Sequence, residues 1–262
     1  MEWIDVNTLE ALRQLLAEDV KILGGGTKVL QEGPLPKRVT DLSLLPIEQG
    51  LYRAPDGSVH IGPQTTLEDL LNWPDTPNDI KRVLKKMGAV PFRNLATVIG
   101  RLANQEDISD LYPVMRLYQT RVTFVTPMIG VPQERQLTWE SPELPEAWLE
   151  VVIPPKTSAY PLVEFVKFGK SSQSRTLLNV TAGLQPVPAT PFWTLTLIVS
   201  GITPVPQEWH WTESREAIFS VVTDQLGERC FSVTADPVEC HLIRSYWDIL
   251  AQRLEERLGG IR

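Results

Sequence analysis

The run Lys21-Ile22-Leu23 breaks into three consecutive glycines and a threonine, Gly24-Gly25-Gly26-Thr27, before continuing through Lys28-Val29-Leu30. Each glycine costs conformational entropy on folding, so a chain spends several together only where backbone takes a positive φ or lies hard against another group. The open amides of such a turn can cradle an anion such as phosphate. A tight turn after a short strand uses the same residues, and on this stretch alone both readings stand.

The rest of the composition narrows the partners. The chain has 262 residues, enough for two domains of ordinary size or one large one, and 42% of them are hydrophobic. The 25 Lys and Arg against 32 Asp and Glu give a net charge of −7 with no long basic run. That balance argues against nucleic acid as a partner. No apolar stretch reaches the length of a membrane span, Thr194–Val199 being far too short. The N-terminal residues Met1-Glu2-Trp3-Ile4-Asp5 do not read as a secretory signal, which predicts a cytoplasmic protein. Cys230 and Cys240 are the two cysteines, too few to ligate an iron–sulfur cluster or a four-thiolate zinc, and they read as reduced thiols. His60, His210 and His241 show no metal-ligand spacing and read as surface or half-buried imidazoles.

Periodicity predicts a helix over Asn7–Glu18, capped by Asn7 or Thr8, with Leu9, Leu12, Leu15 and Leu16 on one face. Strands are predicted at Val20–Leu23, near Arg38–Leu42 and at Val59–Gly62. A capped helix start follows at Thr65–Leu71 and a helix at Asn78–Met87. Three more strands are predicted at Arg121–Val125, Gln136–Trp139 and Trp148–Ile153. Ile153-Pro154-Pro155 then marks a domain edge, because proline cannot donate to a sheet ladder. Beyond it, strands are predicted at Leu162–Lys167, Leu178–Leu184 and Trp193–Val199, then helices at Glu213–Leu226 and Val238–Leu258. Trp193, Trp209 and Trp211 read as core or subunit interface. The order of elements is that of an α+β protein.

A second segment gives the glycine turn its context. Val90-Pro91-Phe92-Arg93-Asn94-Leu95-Ala96-Thr97-Val98-Ile99-Gly100-Arg101-Leu102-Ala103-Asn104 continues through Gln105-Glu106-Asp107-Ile108-Ser109-Asp110-Leu111-Tyr112-Pro113. It resembles the second signature of the FAD-binding subunits of molybdenum hydroxylases, R-N-x-A-T-I-G-G-N-x-A, a short gap and S-D-L-x-P. That family includes the medium subunit of carbon monoxide dehydrogenase and the flavin domain of xanthine dehydrogenase. Gly25-Gly26-Thr27 matches the family's first signature. Asp41-Leu42-Ser43 and His60-Ile61-Gly62-Pro63-Gln64-Thr65-Thr66 match the motifs between them. Lys167, Thr181-Ala182-Gly183, Arg244 and Tyr246 follow in the family's order. The chain departs from the pattern at Ile99-Gly100-Arg101, where relatives have Gly-Gly-Asn, and at Leu177-Leu178-Asn179, where many have Asp-Ile-Ala.

The resemblance implies a two-lobed FAD-binding domain of the molybdopterin dehydrogenase/vanillyl-alcohol oxidase type over 1–155, with lobes at 1–50 and 51–155. It implies a flavoprotein C-terminal domain, a three-stranded sheet with helices, over 156–262. FAD is then the cofactor. The residues implied to hold it are Leu23, Gly24, Gly25, Gly26, Thr27, Lys28, Thr97, Gly100 and Arg101 around the pyrophosphate, with Asp110 on a ribose or adenine group and Lys167 near the flavin ring. Asp110 could instead cap the helix that starts near Leu111. Thr97–Leu102 is expected as a second glycine-containing loop closing on the pyrophosphate from another side.

No catalytic acid–base pair and no metal ligands are expected, since the flavin carries the chemistry. The implied function is an oxidoreductase's electron-transfer subunit. Its partners are a molybdopterin-binding large subunit and a [2Fe–2S] small subunit, with NAD or another acceptor receiving the electrons. The alternative is a scaffold or assembly subunit of the same family that has lost FAD. A stand-alone flavin reductase of the same broad fold would need a separate substrate-binding domain, and none is visible.

Overall fold

In the computed structural model the description covers residues 1–18, 20–29, 34–104, 108–139, 144–155, 162–170 and 176–260. Leu30 of the glycine stretch and Gln105-Glu106-Asp107 of the second signature lie outside these residues. The chain forms two compact units, one of Met1–Gln105 with Gln119–Pro155 and the other of Glu106–Tyr118 with Lys156–Arg262.

The first unit begins with strand β1 (Glu2–Trp3) and helix α1 (Leu9–Leu16). Thr8, rather than Asn7, caps α1 by accepting from the Ala11 N–H at 3.1 Å. Leu12 and Leu16 then fall on the buried face. Strands β2 (Lys21–Ile22) and β3 (Arg38–Thr40) complete a three-stranded parallel sheet in the order β1-β3-β2. A small core of Val6, Leu12, Leu16, Leu42 and Leu45 joins α1 to Val125, Ala147 and Leu149.

Those last three residues come from a five-stranded antiparallel sheet ordered β4-β5-β8-β6-β7. Its strands are β4 (Leu51–Arg53), β5 (Val59–Ile61), β6 (Arg121–Val125), β7 (Gln133–Gln136) and β8 (Ala147–Ile153). The sequence pattern placed β7 about three residues later and did not show β4. Between β5 and β6 the chain runs through helices α2 (Leu67–Asn72), α3 (Asn78–Leu84), α4 (Val90–Leu95) and α5 (Val98–Ala103). Thr66 and Asp69 form a reciprocal capping box at the start of α2.

The second unit is built on a four-stranded antiparallel sheet, β12-β11-β10-β9. Its strands are β9 (Leu162–Gly169), β10 (Thr176–Pro186), β11 (Phe192–Ser200) and β12 (Gln207–Ser214). The expected three-stranded sheet is therefore one strand short. Residues 213–214, expected to open a helix, end β12, and helix α7 (Ile218–Val233) starts afterwards. The α+β class is unchanged. One face of the sheet, with Leu178, Val180, Ala182, Leu195, Leu197, Trp209 and Trp211, packs on α7 and on helix α8 (Pro237–Gly259) through Ile243, Trp247, Leu250 and Leu254. On the other face Gly183 lies against Leu117 of helix α6 (Leu111–Leu117), where a Cβ would stand 2.8 Å from a leucine methyl.

Candidate functional site

The glycine loop leaves the carboxyl end of β2, and the Leu23 N–H extends the parallel ladder by donating to the Thr40 carbonyl at 2.7 Å. Open parallel sheets bind ligands beyond the carboxyl ends of their strands. The three glycines serve different purposes there. A Cβ on Gly25 would overlap the Leu95 carbonyl, and one on Gly24 would overlap the Thr97 hydroxyl. Gly26 has φ +68 and open space where its Cβ would be. So Gly24 and Gly25 let the loop sit directly on the second signature, while Gly26 turns the chain and leaves its own side clear.

The second signature is held in place by a third motif. Thr97 and Thr66 form an isolated antiparallel bridge, with the Leu67 N–H on the Ala96 carbonyl and the Val98 N–H on the Thr65 carbonyl, both at 2.9 Å. Arg93 is buried, donating to Glu68 at 2.6 Å and to the Gly88 carbonyl at 2.7 Å, so the arginine of this signature braces the helices. The expected second loop at Thr97–Leu102 is a helix. Thr97 caps α5 by accepting from the Gly100 N–H at 3.2 Å, and Ile99 takes ordinary helical backbone with its side chain buried. A β-branched residue therefore stands in place of the family glycine without a forbidden φ.

The two signatures wall one cavity of about 290 Å³. Leu23, Gly24, Gly25, Gly26, Thr27, Lys28, Thr97, Gly100 and Arg101 all line it. Pro63, Gln64, Ile99, Glu146 and Trp148 line it as well, and the sequence reading did not name them as site residues. Trp148 is the second residue of β8 and Glu146 immediately precedes the strand, a few residues before the Pro154-Pro155 break. The predicted strand Trp148–Ile153 takes in Trp148 but not Glu146.

Asp110 and Lys167 belong to the second unit and are not among the cavity's lining residues. They face each other, with Lys167 Nζ 3.2 Å from Asp110 Oδ2 and side-chain exposures of 5% and 9%. Asp110 also accepts from the Thr176 hydroxyl at 2.7 Å and from the Asn179 amide at 3.4 Å. Its side chain makes no capping bond to α6; Ser109 does that, accepting from the Tyr112 N–H at 3.2 Å. The carboxylate is thus a buried charge satisfied by an ammonium, a hydroxyl and an amide, as burial demands. Asn179, where relatives often have alanine, also donates to the Ser109 carbonyl at 3.0 Å.

The cavity suits a dinucleotide's pyrophosphate. Two backbone segments approach without intervening side chains, a hydroxyl sits between them, and Lys28 and Arg101 stand in the wall. Among the described residues no group of three or more His, Cys, Asp or Glu is arranged to hold a metal ion. No helix among them is long and apolar enough to cross a membrane.

Comparison with known proteins bears on the same region. The family model described as the FAD binding domain in molybdopterin dehydrogenase matches residues 1–134. Among solved structures, a chain of the carbon monoxide dehydrogenase from Hydrogenophaga pseudoflava superposes with a TM-score of 0.74 at 16% identity, covering 97% of this chain and 95% of that one. A chain of quinoline 2-oxidoreductase from Pseudomonas putida 86 gives 0.72 at 14% identity, covering 100% and 98%. The reconstituted CO dehydrogenase from Oligotropha carboxidovorans gives 0.65 at 16%, covering 79% and 77%. At such identities these likenesses establish the fold. No curated protein sequence matches significantly. The family model spans just over half the chain and takes in the glycine loop and the capped start of α5, which both line the cavity. The chain belongs to the family of FAD-binding domains of molybdopterin dehydrogenases, and its cofactor is FAD.

Proposed function

We propose that this chain is the FAD-carrying electron-transfer subunit of a molybdenum hydroxylase-type dehydrogenase complex in the cytoplasm. The observation that carries the reading is the convergence of Gly24–Thr27 and Thr97–Arg101 on one cavity, within the region that matches the family model. FAD, when bound, accepts electrons and passes them on. The chain's own residues hold and orient it. Amides of the glycine loop donate to pyrophosphate oxygens, the Thr97 hydroxyl lies between the two segments, and Lys28 and Arg101 balance the anion's charge. Asp110 and Lys167, which the resemblance puts on a ribose or adenine group and near the flavin ring, are engaged with each other within the second unit and carry no part of this reading.

Substrate oxidation then belongs to a molybdopterin-binding large subunit. The [2Fe–2S] clusters belong to a small subunit, because this chain's two cysteines cannot ligate one. NAD or another carrier takes the electrons from the flavin. The test is the visible spectrum of the purified chain or complex, with FAD quantified after denaturation. Flavin bands and stoichiometric FAD are expected, together with molybdopterin and iron–sulfur subunits that copurify. A colourless protein that takes up no added FAD would overturn the reading in favour of a scaffold subunit, with Ile99 and Arg101 filling space that glycine and asparagine leave open in relatives.

A further inference from the structure

One wall of the cavity is made by an assembly that neither signature contains. Glu146 and Trp148 both line it, with side-chain exposure of 6% for Glu146 and residue exposure of 4% for Trp148. Arg135 of β7 grips the Glu146 carboxylate with both terminal nitrogens, Nη1 to Oε2 at 2.7 Å and Nη2 to Oε1. The Trp148 indole N–H donates to the same Oε1. The Arg135 guanidinium also lies over the Phe124 ring, 4.3 Å from its centroid, and 5.9 Å from the Trp148 centroid. Register explains the grouping: Phe124 of β6 pairs with Trp148 of β8 and with Gln133 of β7, two residues before Arg135 on the same face.

This arrangement does two things. The bidentate pair cancels the charge of a carboxylate that would otherwise stand in the wall of an anion site. It also fixes the indole, because the N–H is tied to an oxygen that Arg135 holds in a planar fork. A rigid aromatic side chain in the wall of a dinucleotide cavity offers a flat apolar face or edge to a planar ring.

We propose that Trp148 is a cofactor-contacting residue that packs against a planar heteroaromatic ring of FAD, and that Glu146 and Arg135 are the positioning residues that hold it. The proposal rests on the assignment of the cavity to FAD made above. Adenine and isoalloxazine share the chemistry that Trp148 would meet, so the test separates them.

Trp148→Phe, Glu146→Ala and Glu146→Gln are titrated beside the wild-type chain with FAD, ADP and FMN. Quenching of tryptophan emission gives the binding curve, and far-UV circular dichroism with thermal melting checks the fold. The wild type is expected to bind FAD and to lose tryptophan emission on binding. Trp148→Phe, which keeps most of the volume, should weaken FAD about tenfold and remove a measurable part of the quench. Glu146→Ala should weaken FAD similarly, and Glu146→Gln, which keeps an acceptor for the indole N–H, should recover most of the loss. A weakened ADP curve in Trp148→Phe assigns the adenine, and a weakened FMN curve assigns the isoalloxazine. If folded Trp148→Phe binds all three as the wild type does, with an undiminished quench, the proposal is overturned while the FAD reading survives. A wild type that binds no FAD overturns both.

Discussion

At the scale of single residues, the glycine loop divides into positions the protein needs for itself and a position that stays open. Gly25 cannot carry a Cβ because the Leu95 carbonyl is in the way, and a backbone atom cannot step aside as a flexible side chain would. Gly25→Ala is expected to cost about 3 kcal/mol or more, lowering the thermal midpoint along with FAD affinity. Gly26→Ala meets nothing within 4 Å, so its cost is that of a left-handed backbone, about 1–2 kcal/mol. Gly26→Asn should recover part of that, since asparagine tolerates a positive φ better. Thermal melts of the three variants, ranked Gly25→Ala lowest and Gly26→Asn highest, check the division. Sequence alone marked all three glycines equally. The letter is the same whether the missing side chain makes room for a ligand or for another stretch of backbone, and only the position of Leu95 and Thr97 separates the cases.

Among the elements, what was legible depended on whether the signal was local. The leucine spacing of α1 and the Thr66–Asp69 cap of α2 lie within one turn of helix, and both elements form where those patterns stand. Helix α4 is only six residues long, too short to show a helical period, and its Pro91 sits in the first turn, where a proline sacrifices no hydrogen bond. Strand β12 was hidden differently. Trp209 and Trp211 alternate with Glu208, His210 and Thr212 as a half-buried strand should, but two tryptophans close together also suit any core. The cavity wall at Glu146 and Trp148 was least legible, because it depends on the β6–β8 register and on Arg135 from a third strand.

The α7–α8 pair carries a pH dependence with a definite sign. Burial pushes the Cys230 thiol up to about 12, and Cys240 moves in the same direction for the same first cause. An unfolded thiol ionises at about 8.5. Between that pH and about 12 the folded chain holds a proton that the unfolded chain has lost, so this contribution to stability is intact below the window and declines as pH rises through it. Urea melts at neutral and strongly alkaline pH should therefore diverge less for Cys230→Ala than for the wild type. The same burial predicts that neither thiol reacts with a maleimide at neutral pH until the helices unfold.

Taken whole, the molecule does not divide at one point in its sequence. Residues 106–118 lie between two stretches of the first unit, yet they belong to the second, where Asp110 meets Lys167, Thr176 and Asn179. Asp110→Ala withdraws the carboxylate from that buried group and is expected to destabilise the second unit by about 3–5 kcal/mol, read as an earlier transition in thermal unfolding. A fragment of 156–262 should likewise fail to give a cooperative transition, and supplying 106–118 as a peptide should restore it. This interleaving also bears on how the chain is made. A ribosome delivers α6, with Leu111, Tyr112, Val114 and Met115 destined for burial, well before β9 and β10 exist to receive it. Meanwhile the first unit can close only when the residues up to Pro155 have emerged. During synthesis, then, an apolar helix waits unsheltered beside a half-built neighbour, and that interval is where this chain is most open to aggregation and to chaperone capture.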